Sequence, residues 1–353
     1  MFFDKHAKGV ISAIASDRAK RAQASSTTSG KTRGAPSPGS AVEGQTMGVM
    51  RTFFLACSRN AWLRERATKL WFVRRAASRF MPGETAEAAL AAAAELKTRS
   101  IRAVFTRLGE NVTDRDEAES VTGAYIEILD SAREHGIDAE VSVKLTQLGL
   151  DLGRDLCFQN LERILGRAGP GAVVWIDMES SQYTGATLDL FRRARARFSN
   201  AGVCLQSYLY RTSEDLASLM ALNPAIRLVK GAYNEPATQA FASKRRVDAS
   251  YFSLAKVLLS NESRAAGVRA AIATHDLKLI DRIIEFAEAN GIAKSKLEFQ
   301  MLYGIKRRDQ VRLAKAGYNV RVLISYGSYW FPWYMRRLAE RPANFLFIIR
   351  NLV

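Results

Sequence analysis

VRAAIATHDLKLIDRIIEFAEANGIAKSKLEFQMLYGIKRRDQVRLAKAGYNVRVLISYG (residues 268–327) decides the fold class of this chain. Three short apolar runs, 268–273 (VRAAIA), 297–300 (LEFQ) and 320–324 (VRVLI), alternate with amphipathic stretches at 276–290 and 306–316. Short apolar runs separated by helix-length segments predict parallel strands joined by crossover helices. Upstream, the same alternation runs through 101–105 (IRAVF), 139–145 (AEVSVKL), 173–177 (VVWID), 203–208 (VCLQSY) and 226–229 (IRLV). Helical stretches at 114–134, 152–168, 183–199 and 237–260 lie among them. The count predicts an α/β protein, a (βα)8 barrel with its polar strand ends gathered at the C-terminal face. A doubly wound sheet would also alternate, but no GxGxxG follows an early strand and no P-loop pattern occurs.

The remainder of the 353 residues divides unevenly. The formal net charge is +17, yet residues 1–80 hold 15 Lys and Arg against 4 Asp and Glu, leaving the body near balance. Global charge therefore argues against nucleic acid as a partner. Residues 1–49 read as a disordered, basic, low-complexity leader; QASSTTSGKTRGAPSPGSAVEGQTMG (23–48) is rich in Ser, Thr, Gly and Pro. Residues 50–98 read as a helical segment packed on the barrel, 99–345 as the barrel with a final helix over its mouth, and 346–353 as a tail. Cys57, Cys157 and Cys204 are scattered, and only His6, His135 and His275 are present, so neither a disulfide scaffold nor a histidine metal site is expected. No run reaches the ~18 apolar residues of a membrane span, and residues 1–24 lack a signal-peptide apolar stretch.

A barrel would bring the polar groups at its strand ends together: Lys144, Asp177, Gln206, Arg227 with Lys230, Thr274 with His275, and Gln300. Beyond the last strand, SYWFPWYMRRLAER (328–341) sets Arg336 and Arg337 beside aromatic residues, with Glu340 one turn away. Forked arginine donors suit a small carboxylate; a solvated helix face is the plain alternative. No GxSxG, Cys–His pair or glycosidase-like carboxylate pair stands out. A mouth rich in donors and poor in nucleophiles suits a cofactor that carries the chemistry.

Seven segments, VSVKLTQLG (141–149), WIDMES (175–180), LQSY (205–208), RLVKGAY (227–233), ATHD (273–276), EFQMLYG (298–304) and WYMRRLAERPAN (333–344), occur in this order. Together they make the chain resemble the monofunctional proline dehydrogenases, over roughly residues 50–345. The resemblance implies a distorted (βα)8 barrel that binds FAD and oxidises L-proline to Δ1-pyrroline-5-carboxylate by hydride transfer to flavin N5. It implies a quinone as electron acceptor and a Δ1-pyrroline-5-carboxylate dehydrogenase as pathway partner. It places the protein in the cytoplasm, with the basic N-terminal region suited to peripheral contact with the inner face of the membrane.

The resemblance also implies roles. Arg336, Arg337 and Lys144 meet the substrate carboxylate, Glu340 orients an arginine, and Asp177 organises the network nearby. Tyr233 and Leu302 pack around the ring. Arg227 lies near flavin N5. Gln206 contacts the isoalloxazine, Lys230, Gly231, Thr274 and His275 hold the ribityl and pyrophosphate with Lys244 reaching the same phosphates, and Asp177, Met178, Ala232 and Gln300 are further cofactor contacts. The chain departs from the pattern at Leu323, where the family has a tyrosine that packs on the proline ring. That departure keeps hydroxyproline or another cyclic secondary amino acid open as substrate. A second departure is FTRLGE (105–110), where an acidic residue is usual before LGE. From the residues alone, a flavin-free barrel lyase using Lys144 as a Schiff base, and a basic RNA- or membrane-binding protein, also stay open.

Overall fold

The computed structural model describes residues 75, 77–331, 334 and 335. The leader, most of the 50–98 segment, the tail, and Arg336, Arg337 and Glu340 with the proposed final helix lie outside the described residues. The chain divides into two units. Ser78–Ser328 forms the barrel, and Tyr329–Phe331, Tyr334 and Met335 belong to the other unit. In that second unit Trp330 makes edge-to-face contacts with Phe331 and Tyr334.

Eight strands close into one parallel barrel: β1 (Arg102–Arg107), β2 (Ala139–Val143), β3 (Val174–Ile176), β4 (Ala201–Gln206), β5 (Ala225–Val229), β6 (Arg269–Ala273), β7 (Glu298–Leu302) and β8 (Asn319–Tyr326). Each pairs in parallel with its sequence neighbours, and β8 closes the ring on β1, with Val104 opposite Leu323. All eight runs read from the sequence are strands, including the weakly patterned first. Its polar end, Thr106–Arg107, is carried into the ladder by β8.

Crossover helices sheathe the ring. They are α2 (Arg115–Glu134), α3 (Arg154–Ala168), α4 (Thr184–Arg195), α5 (Thr212–Leu219), α6 (Lys244–Leu258), α7 (Asn261–Ala265), α8 (Leu277–Ala289) and α9 (Arg307–Lys315), preceded by α1 (Ala86–Lys97). The longer ones bury a stripe at helical spacing. In α2 the stripe is Ala118, Val121, Thr122, Tyr125, Ile128, Leu129 and Ala132, as a sheet-covering helix requires. The Asp114 carboxylate caps α2 by accepting from the Glu117 N–H at 2.7 Å. Helix α1 packs on β1 and β8, so the closing seam is covered by a helix that precedes the barrel.

Two differences from the sequence reading have local causes. Helix α6 starts at Lys244 rather than 237, because Pro236–Ala240 form a turn whose Ala240 bridges Leu209 beyond β4. Helix α5, absent from the ranges read above, occupies TSEDLASL. It is only two turns long, too short for periodicity to stand out.

Two of the apolar clusters among the described residues frame the barrel wall. One lies between the strands and the helices. The other is inside the barrel, where Val104, Val173, Trp175, Ala225 and Ala271 pack together with Leu323 against them. Alternation along each strand sends every second residue inward, and this inner set builds the site.

Candidate active site

Arg227 lies near the middle of the barrel and is the hub of its polar groups. Its side chain spans the barrel interior, touching residues from four other strands or strand ends. Nε donates to Gln300 Oε1 at 2.6 Å, and Nη1 donates to Ser142 Oγ at 2.6 Å and to Asp177 Oδ1 at 3.1 Å. Cys204 Sγ lies 3.7 Å from Nη1 and 3.2 Å from Asp177. The Ser142 hydroxyl in turn donates to Asp177 Oδ1 at 2.8 Å. The guanidinium also sits 4.7 Å from the centre of the Trp175 ring. With only 5% of its side chain exposed, it nevertheless has no hydrogen-bond partner for Nη2 among the described residues. A guanidinium has five N–H donors. Three are used, and the two on Nη2 form a buried edge that wants an acceptor.

A layer of charge lies below this hub. Arg269 pairs with Glu298 at 2.7 Å and with Glu140 at 2.6 Å. Arg321 lies 3.3 Å from Glu140 and 3.8 Å from Glu298. The Trp175 indole donates to Glu140 at 2.7 Å. Burial disfavours the Arg269 charge, but Glu298 and Glu140 outweigh it and raise its pKa further. With Arg227 and Asp177 above, three cations and three anions balance inside the barrel, which makes burying them tolerable. Sequence reasoning missed this layer. Its signal was a charge between apolar neighbours at the start of several strands: AEV (139–141), VRA (268–270), LEF (297–299) and VRV (320–322).

The mouth above is ringed by the residues expected there. Lys144, just after β2, is 3.9 Å from Glu110, and Asp177 pairs with Arg227, so each is held in an ion pair within the barrel unit. Glu179, unassigned in the sequence reading, is buried. It accepts from the Thr146 N–H at 3.1 Å and hydroxyl at 2.7 Å, fixing the turn after Lys144. Burial raises its pKa, against the opposing hydrogen bonds from Thr146. Gln206 donates to the Glu179 carbonyl at 2.7 Å. Met178 is buried between Asp177 and Glu179.

On the opposite side, Lys230 donates to Asp248 at 2.5 Å and Asp276 at 2.7 Å. Lys244 donates to the same two carboxylates, reaching Asp276 at 3.1 Å and Asp248 more closely. Burial would raise the pKa of Asp276, but hydrogen bonds from Lys230 and Lys244 outweigh it and hold the carboxyl far below its usual range. The two carboxylates keep two cations side by side. Thr274 Oγ1 accepts from the Asp276 N–H at 3.2 Å. His275 Nε2 accepts from the Leu302 N–H at 2.9 Å. That bond puts the ring proton on Nδ1 and keeps the imidazole neutral.

Gly231 has φ +117°, a conformation costly for other residues. A side-chain carbon there would come within 2.2 Å of the Tyr208 ring. The loop that follows carries Ala232 and Tyr233 and is tied down at Glu235, which accepts from the Ser181 N–H at 2.7 Å and, more closely, from its hydroxyl. Leu302, the last residue of β7, and Leu323, within β8, are Cα partners, both partly buried. A separate depression lined by Lys97, Arg102, Asp138, Tyr318 and Asn319 lies at the strand starts, away from all these groups.

The described residues fit a flavin. They offer an orphaned guanidinium edge at the centre, a paired-lysine corner to one side and the apolar pair Leu302 and Leu323 on β7 and β8. No group of His, Cys, Asp and Glu able to hold a metal occurs among them, and no helix among them is long and apolar enough to cross a membrane.

A family model described as proline dehydrogenase matches residues 89–350. Proline dehydrogenase 2 of Bacillus subtilis strain 168 is 38% identical over 86% of this chain and 99% of its own length. Proline dehydrogenase of Deinococcus radiodurans is 38% identical over 81% of this chain and 91% of its own length. Among solved structures, proline utilization A from Bdellovibrio bacteriovorus, inactivated by N-propargylglycine, superposes with a TM-score of 0.70 at 24% identity. It is similar over 83% of this chain, which spans 36% of that longer protein.

Proposed function

We propose, since this chain belongs to the proline dehydrogenase family, that it oxidises L-proline to Δ1-pyrroline-5-carboxylate with FAD and passes the electrons to a quinone. The observation that carries the proposal is the buried, unpartnered Nη2 edge of Arg227 at the centre of the barrel.

When bound, FAD supplies the two-electron acceptor for the hydride that leaves the carbon beside the ring nitrogen. The chain's own residues do the rest. Arg227 presents fixed donors to the place where negative charge grows, in an interior where such donors act strongly. Ser142, Asp177 and Gln300 hold that guanidinium still. Lys144, Arg336 and Arg337 bind the substrate carboxylate, with Glu340 orienting an arginine, and so supply position rather than bond-breaking. The amine must arrive neutral, because an ammonium has no lone pair to support hydride loss. Lys230 and Lys244 hold the cofactor phosphates, with Gly231, Ala232, Thr274 and His275 around them. Gln206 and Met178 line the isoalloxazine side. Tyr233, Leu302 and Leu323 supply the apolar wall. The quinone, a pathway dehydrogenase for the product and peripheral membrane contact through residues 1–49 belong to the same proposal.

The test is the visible spectrum of the purified protein, before and after anaerobic addition of L-proline. Flavin bands near ~450 nm that bleach support cofactor and substrate together. Bands that persist with proline and bleach with hydroxyproline move the substrate to the other cyclic amino acid. Absence of flavin after reconstitution with FAD, with an adduct trapped by borohydride on Lys144, would leave the lyase reading standing.

Leu323 is the specificity element to probe. It packs on the inner cluster without a flat face to offer a ring. Leu323→Tyr is expected to raise kcat/KM for proline roughly 10-fold, within the ~1–3 kcal/mol range of pocket contacts of this size. Steady-state kinetics on proline and hydroxyproline checks it, and a fall on proline defeats it.

A further inference from the structure

We infer that Gln300 and Glu298 are positioning residues that aim Arg227 from below, linking the ion layer of the barrel to the reacting end. The assignment rests on the flavin reading above, and differs from a direct contact between Gln300 and the cofactor.

The direction of each hydrogen bond is forced. Arg227 Nε can only donate, so the Gln300 atom facing it, 2.6 Å away, is the amide oxygen. An ionised Glu298 can only accept, so the Gln300 atom facing Oε1, also 2.6 Å away, is the amide nitrogen. The carboxamide therefore has one orientation and cannot flip. Glu298 is pinned in turn by Arg269, which donates to its two oxygens at 2.7 Å and 3.0 Å. Gln300 is 4% exposed and Glu298 7% exposed, so water does not substitute readily for either bond.

The other edge of the guanidinium is held by Ser142 and Asp177 through Nη1. Contacts at Nε and Nη1 fix both its plane and its rotation. Nη2, the edge left over, is thereby pointed rather than merely left unpaired. Gln300 also acts as a spacer. Without its amide between them, the Glu298 carboxylate is the next anion available to Arg227, and attraction would draw the guanidinium down, away from the mouth.

Gln300→Met keeps the side-chain length and leaves Glu298 paired with Arg269. We expect this variant to bind flavin, with kcat for proline lowered about 10-fold and KM within twofold of wild type. Its reduced flavin should be destabilised 10-fold, which for a two-electron couple lowers the midpoint potential by about 30 mV. A purely structural role would lower the melting temperature and leave the potential of the bound flavin in place. Glu298→Gln should lower the potential in the native background and not lower it further in the Gln300→Met background, where removing the carboxylate also removes its pull on Arg227. If Glu298→Gln fails to fold, Gln300→Met decides alone. Wild-type potential and kcat in flavin-loaded Gln300→Met overturn the assignment. So does loss of flavin from that variant, which would make Gln300 a direct contact. A wild-type protein that takes up no flavin overturns the flavin reading itself.

Discussion

Arg227→Met is expected to lower kcat for proline by roughly 10²–10³-fold, the scale for removing one fixed donor from a site of developing negative charge. Three observations set the expectation. The guanidinium is buried, it is braced through Nε and Nη1, and its remaining edge has no partner among the described residues. Methionine matches much of its length and removes every donor. It also strands Asp177 inside the barrel without its cation, which costs about 3–5 kcal/mol of stability when a buried pair is broken. Arg227→Lys separates the two effects. A lysine keeps the charge beside Asp177, so most of the stability should return, but it cannot reproduce the fork, so the rate should not. Stopped-flow reduction of flavin-loaded protein, with thermal unfolding alongside, reads both. Equal rates for Arg227→Lys and wild type would show that charge alone suffices.

Gly231→Ala is expected to destabilise the protein by about 2–5 kcal/mol, combining backbone strain of ~1–3 kcal/mol with overpacking of similar size. At φ +117° an added methyl would lie 2.2 Å from a Tyr208 ring carbon, and Tyr208 is packed with Leu209 and Ala240. The ring cannot move without disturbing the Leu209–Ala240 bridge that anchors the loop after β5. For a domain of this size the loss corresponds to a melting temperature roughly 5–15 °C lower. The neighbouring Lys230 is displaced with the loop, so flavin uptake should weaken too. Unfolding curves and flavin titration of the variant check both parts. A melting point within a degree of wild type would mean that Tyr208 swings aside at no cost.

Much of this was legible without coordinates. Eight apolar runs with helical stretches between them leave few topologies for a parallel sheet. The run at 320–324 must end beside the run at 101–105 for the sheet to close, and Val104 does pair with Leu323. Lys144, Asp177 and Gln206 were readable as one constellation because a barrel brings all strand ends to one face; Arg227 and Gln300, named with them, sit at the middle of β5 and β7, inside the barrel rather than at its rim. The paired role of Lys230 and Lys244 was half visible. The residues were named, but the carboxylates of Asp248 and Asp276 that hold them together were not.

The sequence by itself determined the period of its apolar residues, and hence the strands, the longer helices and the face on which polar ends collect. Those features depend on spacing along one segment. Only the tertiary structure decided which polar groups meet. Ser142 and Arg227 are 85 residues apart, and Glu140 and Arg269 are 129 apart. Their contacts arise because curvature of the closed sheet points inward residues of non-adjacent strands at the same centre. The orphaned edge of Arg227, the fixed amide of Gln300 and the neutral tautomer of His275 are likewise properties of that enclosure. Each depends on which donors and acceptors remain after all the others have been satisfied in a space that admits little water.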